Sequence, residues 1–222
     1  MTRVIGLPGA GGGRAAWQDL ALLVGLDVRP LPEGSTVSDI AAEVAESLAD
    51  AGDDLVLVGA SLGAMVAVEV ARRRPVSGLV LMAAGWGIYV APTVLDRVRS
   101  ASADLLERLS RQGLAVPTDE HVAVRLADFR SRGERVLADH LTALSRHRPE
   151  PFDNPPPTVV LWGEQDRSVP FADHLELTRA IGGVLRPLPH IGHAAYLEDP
   201  AEVSRWIGFV VAAGASRGDR DG

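Results

Sequence analysis

Residues 55–65 read L-V-L-V-G-A-S-L-G-A-M. Four apolar residues in succession run into Gly59, a serine stands between two glycines, and an alanine-rich stretch follows. Consecutive apolar positions are how a strand buried on both faces reads. The stretch after Gly63 contains no proline until Pro75 and suits a helix. Gly59–Gly63 is therefore a strand-to-helix turn of the form G-x-S-x-G, and small residues are needed where the chain passes close to itself. Such a turn forces Ser61 into a strained backbone conformation. It lifts the hydroxyl above the sheet edge at the start of a helix.

The rest of the chain supplies a matching frame. Short β-branched runs at 3–7, 26–30, 55–58, 78–83, 158–162 and 184–188 alternate with helical patterns at 15–24, 37–50, 62–73, 171–181 and 200–212. Val37, Ile40, Ala41, Val44 and Leu48 form one helical stripe. The alternation predicts an α/β chain: a mostly parallel sheet of about six strands with helices on both faces. Between Gly85 and Pro157 the rhythm breaks. Leu95, Val98, Leu105, Leu106 and Leu109, then Val136, Leu137, Leu141 and Leu144, mark amphipathic helices. The proline-rich P-E-P-F-D-N-P-P-P then forbids helix and leads back to a strand. The expected organisation is a core of residues 1–85 and 154–213, a helical cap or lid of 86–153, and a small polar tail of 214–222 that is disordered.

Composition narrows the chemistry. The hydrophobic fraction of 46% suits a substantial core. With no cysteine there is neither a disulfide framework nor a thiolate metal site, which fits a cytoplasmic location. The N-terminus reaches Gly6 too soon for a signal-peptide core, and no window is apolar enough to span a bilayer. A net charge of −7 offers no basic stripe to nucleic acid. The absence of lysine excludes Schiff-base chemistry and a phosphate-binding loop lysine. A small-molecule substrate is the expected partner, without metal or cofactor. No feature specifies an oligomeric state.

A serine hydroxyl needs a base. Of six histidines, His121, His140 and His147 lie among charged residues of the insertion and read as exposed helical positions, and His174 begins a helix. His190 and His193 follow the last strand, in P-H-I-G-H-A-A-Y, where α/β sheets place their sites. His193 has small neighbours and room to reach sideways, so it is the expected base, ahead of His190. Asp166, after the strand and Gly163 turn of T-V-V-L-W-G-E-Q-D-R, is the carboxylate expected to orient it, ahead of Glu164. The order Ser61, Asp166, His193 is the one this kind of turn requires. Oxyanion donors are the backbone N–H of Leu62 and, from the glycine-rich loop L-P-G-A-G-G-G-R, that of Ala10. That loop lacks G-x-G-x-x-G spacing, which argues against a nucleotide site.

Together, G-A-S-L-G, V-V-L-W-G-E-Q-D-R-S-V-P and I-G-H-A-A-Y-L-E-D-P-A-E-V resemble the α/β-hydrolase superfamily over nearly the whole chain, in particular its small, cofactor-free members with a helical cap. The resemblance implies Ser61 as nucleophile, His193 as general base and acid, and Asp166 as orienting acid. Two departures stand out. Pro8-Gly9 occupies the place of the family's usual His-Gly, with Trp17 where many relatives have an aromatic residue; Ala10 still aligns with the donor residue. The family's leading antiparallel hairpin is also missing. Trp86, Tyr89, Met65 and Phe129 are the expected pocket residues. The function so implied is hydrolysis of an ester, lactone or thioester through an acyl-enzyme. A lyase or cyclase on the same fold, or a ligand-binding protein, are the alternatives.

Overall fold

The computed structural model describes residues 2–86, 88–99 and 103–218. Six strands form one sheet in which every pairing is parallel: β1 (Arg3–Leu7), β2 (Asp27–Val28), β3 (Leu55–Ala60), β4 (Gly78–Met82), β5 (Thr158–Gly163) and β6 (Val184–Leu188). Their spatial order is β2-β1-β3-β4-β5-β6. The chain leaves β1 toward one edge and returns past it to β3. The order thus reverses between β1 and β3, and the crevice beyond their carboxyl ends is where such sheets bind ligands.

Helices α1 (Gln18–Val24), α2 (Val37–Ser47), α3 (Leu62–Arg73), α8 (Phe171–Ala180), α9 (Ala195–Glu198) and α10 (Pro200–Gly218) belong to the sheet layers. Four more, α4 (Pro92–Arg99), α5 (Ala103–Gln112), α6 (Asp119–Arg132) and α7 (Glu134–Arg146), lie between β4 and β5. β3 and β4 are buried at every position, as their unbroken apolar runs require. One core cluster joins Ile5, Leu57, Leu79 and Val160 to the stripe of α2 and to α3. The other joins Val56, Val58, Val80 and Leu161 to Trp17, Leu20 and to Val203, Ile207 and Val210 of α10. Alternate residues of each strand face the two layers, which is the period-two geometry of a sheet covered on both faces. The four inserted helices share a smaller cluster of Val98, Leu105, Leu106, Phe129 and Leu137. Each such side chain contributes about 1.5–3 kcal/mol when fully buried.

The chain end differs from expectation. Residues 214–218 continue α10 instead of forming part of a disordered tail; 219–222 lie outside the described residues. Gly214 lets the helix pack on the Ser77 backbone, where a Cβ would come within 2.6 Å of the carbonyl oxygen. Ser216 returns its hydroxyl to the Ala212 carbonyl at 3.0 Å. Small residues thus extend the helix across the sheet's face. The second strand is also shorter than expected, with only Asp27 and Val28 paired to β1.

Candidate active site

Ser61 follows the last residue of β3 and precedes the first residue of α3, with φ 52° and ψ −117°. A non-glycine residue there is strained by about 1–3 kcal/mol, and the surroundings must hold it. They do so through contact with glycine. A Cβ on Gly63 would sit 1.9 Å from the Leu7 carbonyl oxygen, and one on Gly59 would sit 2.5 Å from the Ala64 Cα. The Ser61 N–H is bonded to the Met82 carbonyl at 2.9 Å, which extends the ladder one residue past β3. The N–H of Leu62 opens α3 and belongs to the first-turn amides that lack an intrahelical acceptor.

Asp166 and His193 come from the ends of β5 and β6. His193 Nδ1 lies 2.9 Å from Asp166 Oδ2. The other carboxylate oxygen accepts the N–H of Ser168 at 2.7 Å and of Val169 at 3.2 Å. Burial pushes the Asp166 carboxyl upward, but the facing imidazole and these donors outweigh it, and its pKa falls below the ordinary carboxylate value. With Nδ1 held by the carboxylate, Nε2 is the nitrogen left for chemistry. Among the described residues no hydrogen bond within 3.5 Å joins Ser61 to His193, but both line one cavity of about 400 Å³. Apo sites often tighten such contacts only when substrate is bound.

The loop that bears His193 is tied down from three sides. Its N–H donates to the Gly113 carbonyl at 2.8 Å, which links it to the insertion. Glu198 accepts from Ala115, Gly192 and Ala194 at 2.7, 3.1 and 3.3 Å. Gln165 donates to the Ile191 carbonyl at 2.8 Å. Trp17 and Tyr196 stack at 4.5 Å and form an aromatic wall of the cavity. His190 is exposed with φ 64° and does not line the cavity, so it is no rival to His193 in position. Glu164 is exposed as well.

The glycine-rich loop after β1 is held by the insertion. Gly11, at φ 62°, donates its N–H to His140 Nδ1 at 3.2 Å, while His140 Nε2 lies 2.7 Å from the Pro32 carbonyl. Since Nδ1 accepts, Nε2 carries the proton. His140 is 1% exposed, not the surface position expected. Burial depresses its pKa, against the raising effect of the Pro32 carbonyl, so the neutral ring is favoured. Asp128 caps the end of the same loop, taking the N–H groups of Ala15 and Ala16 at 3.2 and 3.1 Å. Ala10, immediately before the Gly11 anchor, lines the cavity with Ser61.

Two of the four expected pocket residues, Tyr89 and Phe129, line the cavity; Met65 and Trp86 do not. Met65 is in the core on α3, and Trp86 packs against that core with its N–H on the Asp173 carbonyl at 3.2 Å. The actual walls are Ala16, Trp17 and Tyr196 on one side and Val94, Leu109, Phe129, Leu137 and Leu141 from the insertion. Three polar residues anchor the loops: His140, which the sequence reading placed at the surface, and Asp128 and Glu198, which it did not single out. Among the described residues no group of three or more His, Cys, Asp or Glu side chains is placed to hold a metal ion. No helix among them is long and apolar enough to cross a membrane.

Comparison with known proteins agrees with this architecture. An esterase from Exiguobacterium antarcticum superimposes with a TM-score of 0.84 at 14% identity, covering 96% of this chain and 92% of that one. The RedJ thioesterase of the prodiginine pathway in Streptomyces coelicolor gives 0.70 at 23%, covering 96% and 85%. Est816, described as an N-acyl homoserine lactone degrading enzyme, gives 0.77 at 19%, covering 94% and 93%. At these identities the likeness is one of fold. No match is found among curated protein sequences. The family model described as the alpha/beta hydrolase family matches residues 4–206, and the chain belongs to that family.

Proposed function

We propose that this chain is a serine hydrolase that cleaves a carboxylic ester, lactone or thioester of a small, largely apolar substrate through an acyl-enzyme. The observation that carries the reading is the Asp166–His193 pair at 2.9 Å, whose His193 lines the same cavity as Ser61 on its strained turn. Ser61 Oγ attacks the carbonyl carbon while His193 Nε2 takes its proton. Asp166 holds the ring in the required tautomer and stabilises the imidazolium. The amides of Ala10 and Leu62 receive the oxyanion. His193 then protonates the departing alcohol or thiol, and water repeats the sequence on the acyl-enzyme. The helices between β4 and β5 act as a cap whose Phe129, Leu137 and Leu141 bind the apolar body of the substrate.

Graded p-nitrophenyl esters from acetate to dodecanoate, with acyl-thioesters alongside, test this proposal. The wild-type chain turns over at least one series, and Ser61→Ala lowers turnover on the order of a million-fold. Absence of hydrolysis across both series would move the reading to a lyase or cyclase on the same fold.

A further inference from the structure

Acyl transfer leaves one charged group in the cavity without a task. Arg125, on α6, is 9% exposed and lines the cavity with Ser61 and His193. Among the described residues its side chain makes no hydrogen bond and no ion pair within 4.0 Å, and its Nη1 is buried without a partner. Packing fixes where the guanidinium lies. Its Cζ is 5.9 Å from the Phe129 ring centroid, and it occupies the space beside Gly113 where a Cβ would come within 2.3 Å of Nη1. Asp128, three residues on, makes no ion pair with it within 4.0 Å; its two carboxylate oxygens are directed instead to the Ala15 and Ala16 amides.

A guanidinium is a cation, and burying a cation without a partner is unfavourable. A partner that supplies negative charge removes that cost, and the fork geometry of arginine matches a carboxylate. Gly113, beside the guanidinium, accepts the His193 backbone N–H through its carbonyl. Arg125 therefore belongs to the wall that carries the expected general acid, the side from which the leaving group departs.

We propose that Arg125 is a specificity residue that reads a carboxylate carried by the substrate, so that the preferred substrates are esters with an apolar body and one carboxylate within reach of α6. This inference rests on the hydrolase reading for its kinetic test but not for its binding test. In the kinetic test, 4-carboxyphenyl butyrate is compared with its neutral 4-carbamoyl counterpart. The monophenyl ester of adipic acid is compared with its neutral primary-amide counterpart. The first pair places the charge on the leaving group and the second on the acyl chain. The ratio of kcat/KM within a pair is measured for wild type, Arg125→Met and Arg125→Lys. Comparing ratios between proteins cancels the intrinsic reactivity of the esters. In at least one pair Arg125→Met lowers the carboxylate-to-amide ratio about 10- to 100-fold, the range of a charge-assisted bond. Arg125→Lys retains part of it. The pair that responds identifies which half of the substrate bears the charge. Equal ratios in wild type and Arg125→Met, or an equal loss on both members of each pair, would overturn the assignment. In the binding test, adipate and 4-hydroxybenzoate are titrated into Ser61→Ala with and without Arg125→Met, followed by isothermal titration calorimetry. Binding that weakens about 10-fold or more with the arginine removed supports the proposal, and unchanged binding contradicts it, even where no ester is hydrolysed.

Discussion

Replacing His140 with leucine separates a structural claim from a surface reading. The imidazole bridges the Gly11 N–H and the Pro32 carbonyl while 1% exposed. Leucine fills similar space but neither accepts nor donates. Each group left unpaired costs about 1–3 kcal/mol, so the pair sums to about 2–4 kcal/mol after leucine's own burial is allowed for. For a chain of this size each kcal/mol moves Tm by about 2–4 °C, which predicts a fall of about 5–15 °C at pH 7.5. Thermal and urea denaturation measure it. A second signature lies in pH. The folded state lowers the His140 pKa below its ordinary value near 6.5. The unfolded chain therefore binds more protons as pH drops through that range. The bridge is worth most above pH 6.5 and less as pH falls toward the folded-state pKa. The gap between wild type and His140→Leu accordingly narrows from pH 7.5 to pH 5. A loss below about 0.5 kcal/mol, the range of ordinary surface substitutions, or a gap constant in pH, would refute the bridge.

Other substitutions probe the same framework. Gly63→Ala places a Cβ 1.9 Å from the Leu7 carbonyl oxygen. It should destabilise by about 1–3 kcal/mol in urea denaturation and reduce turnover in the same variant, since the turn bearing Ser61 must shift. Asp166→Asn should cost about 10⁴-fold in kcat through loss of tautomer control. It should also flatten stability in acid: the lowered Asp166 pKa contributes stability above the ordinary carboxylate range that is lost as pH falls through the folded-state value, as pH-dependent denaturation will report. Glu198→Ala removes the acceptor shared by Ala115, Gly192 and Ala194. It should lower kcat more than it raises KM, because the loop that carries His193 loses its anchor while the cavity walls remain.

What the sequence made legible follows from what it encodes locally. The unbroken apolar runs of β3 and β4, the stripe of α2 and the glycines beside Ser61 each describe a neighbourhood within a few residues, and each is where it was expected. The pairing of Asp166 with His193 was legible because both follow strands whose ends a parallel sheet brings together. His140 was misread because helical periodicity identifies one buried face, whereas α7 buries a second against a loop 129 positions away in sequence. Asp128 and Arg125 carry no local signal for the same reason: their surroundings are the first loop and the cavity, not their own element. Met65 was misplaced by its proximity in sequence to Ser61. Four residues on from Ser61, its side chain lies in the core instead of the cavity.

Reaction with a fluorophosphonate, followed by intact mass and peptide mapping, bears most directly on whether Ser61, His193 and Asp166 act together. One adduct at Ser61 is expected, formed in the wild-type chain and slowed by at least about a thousandfold in His193→Gln. An unlabelled Ser61 with His193 present, or labelling at the same rate without the imidazole, would contradict it.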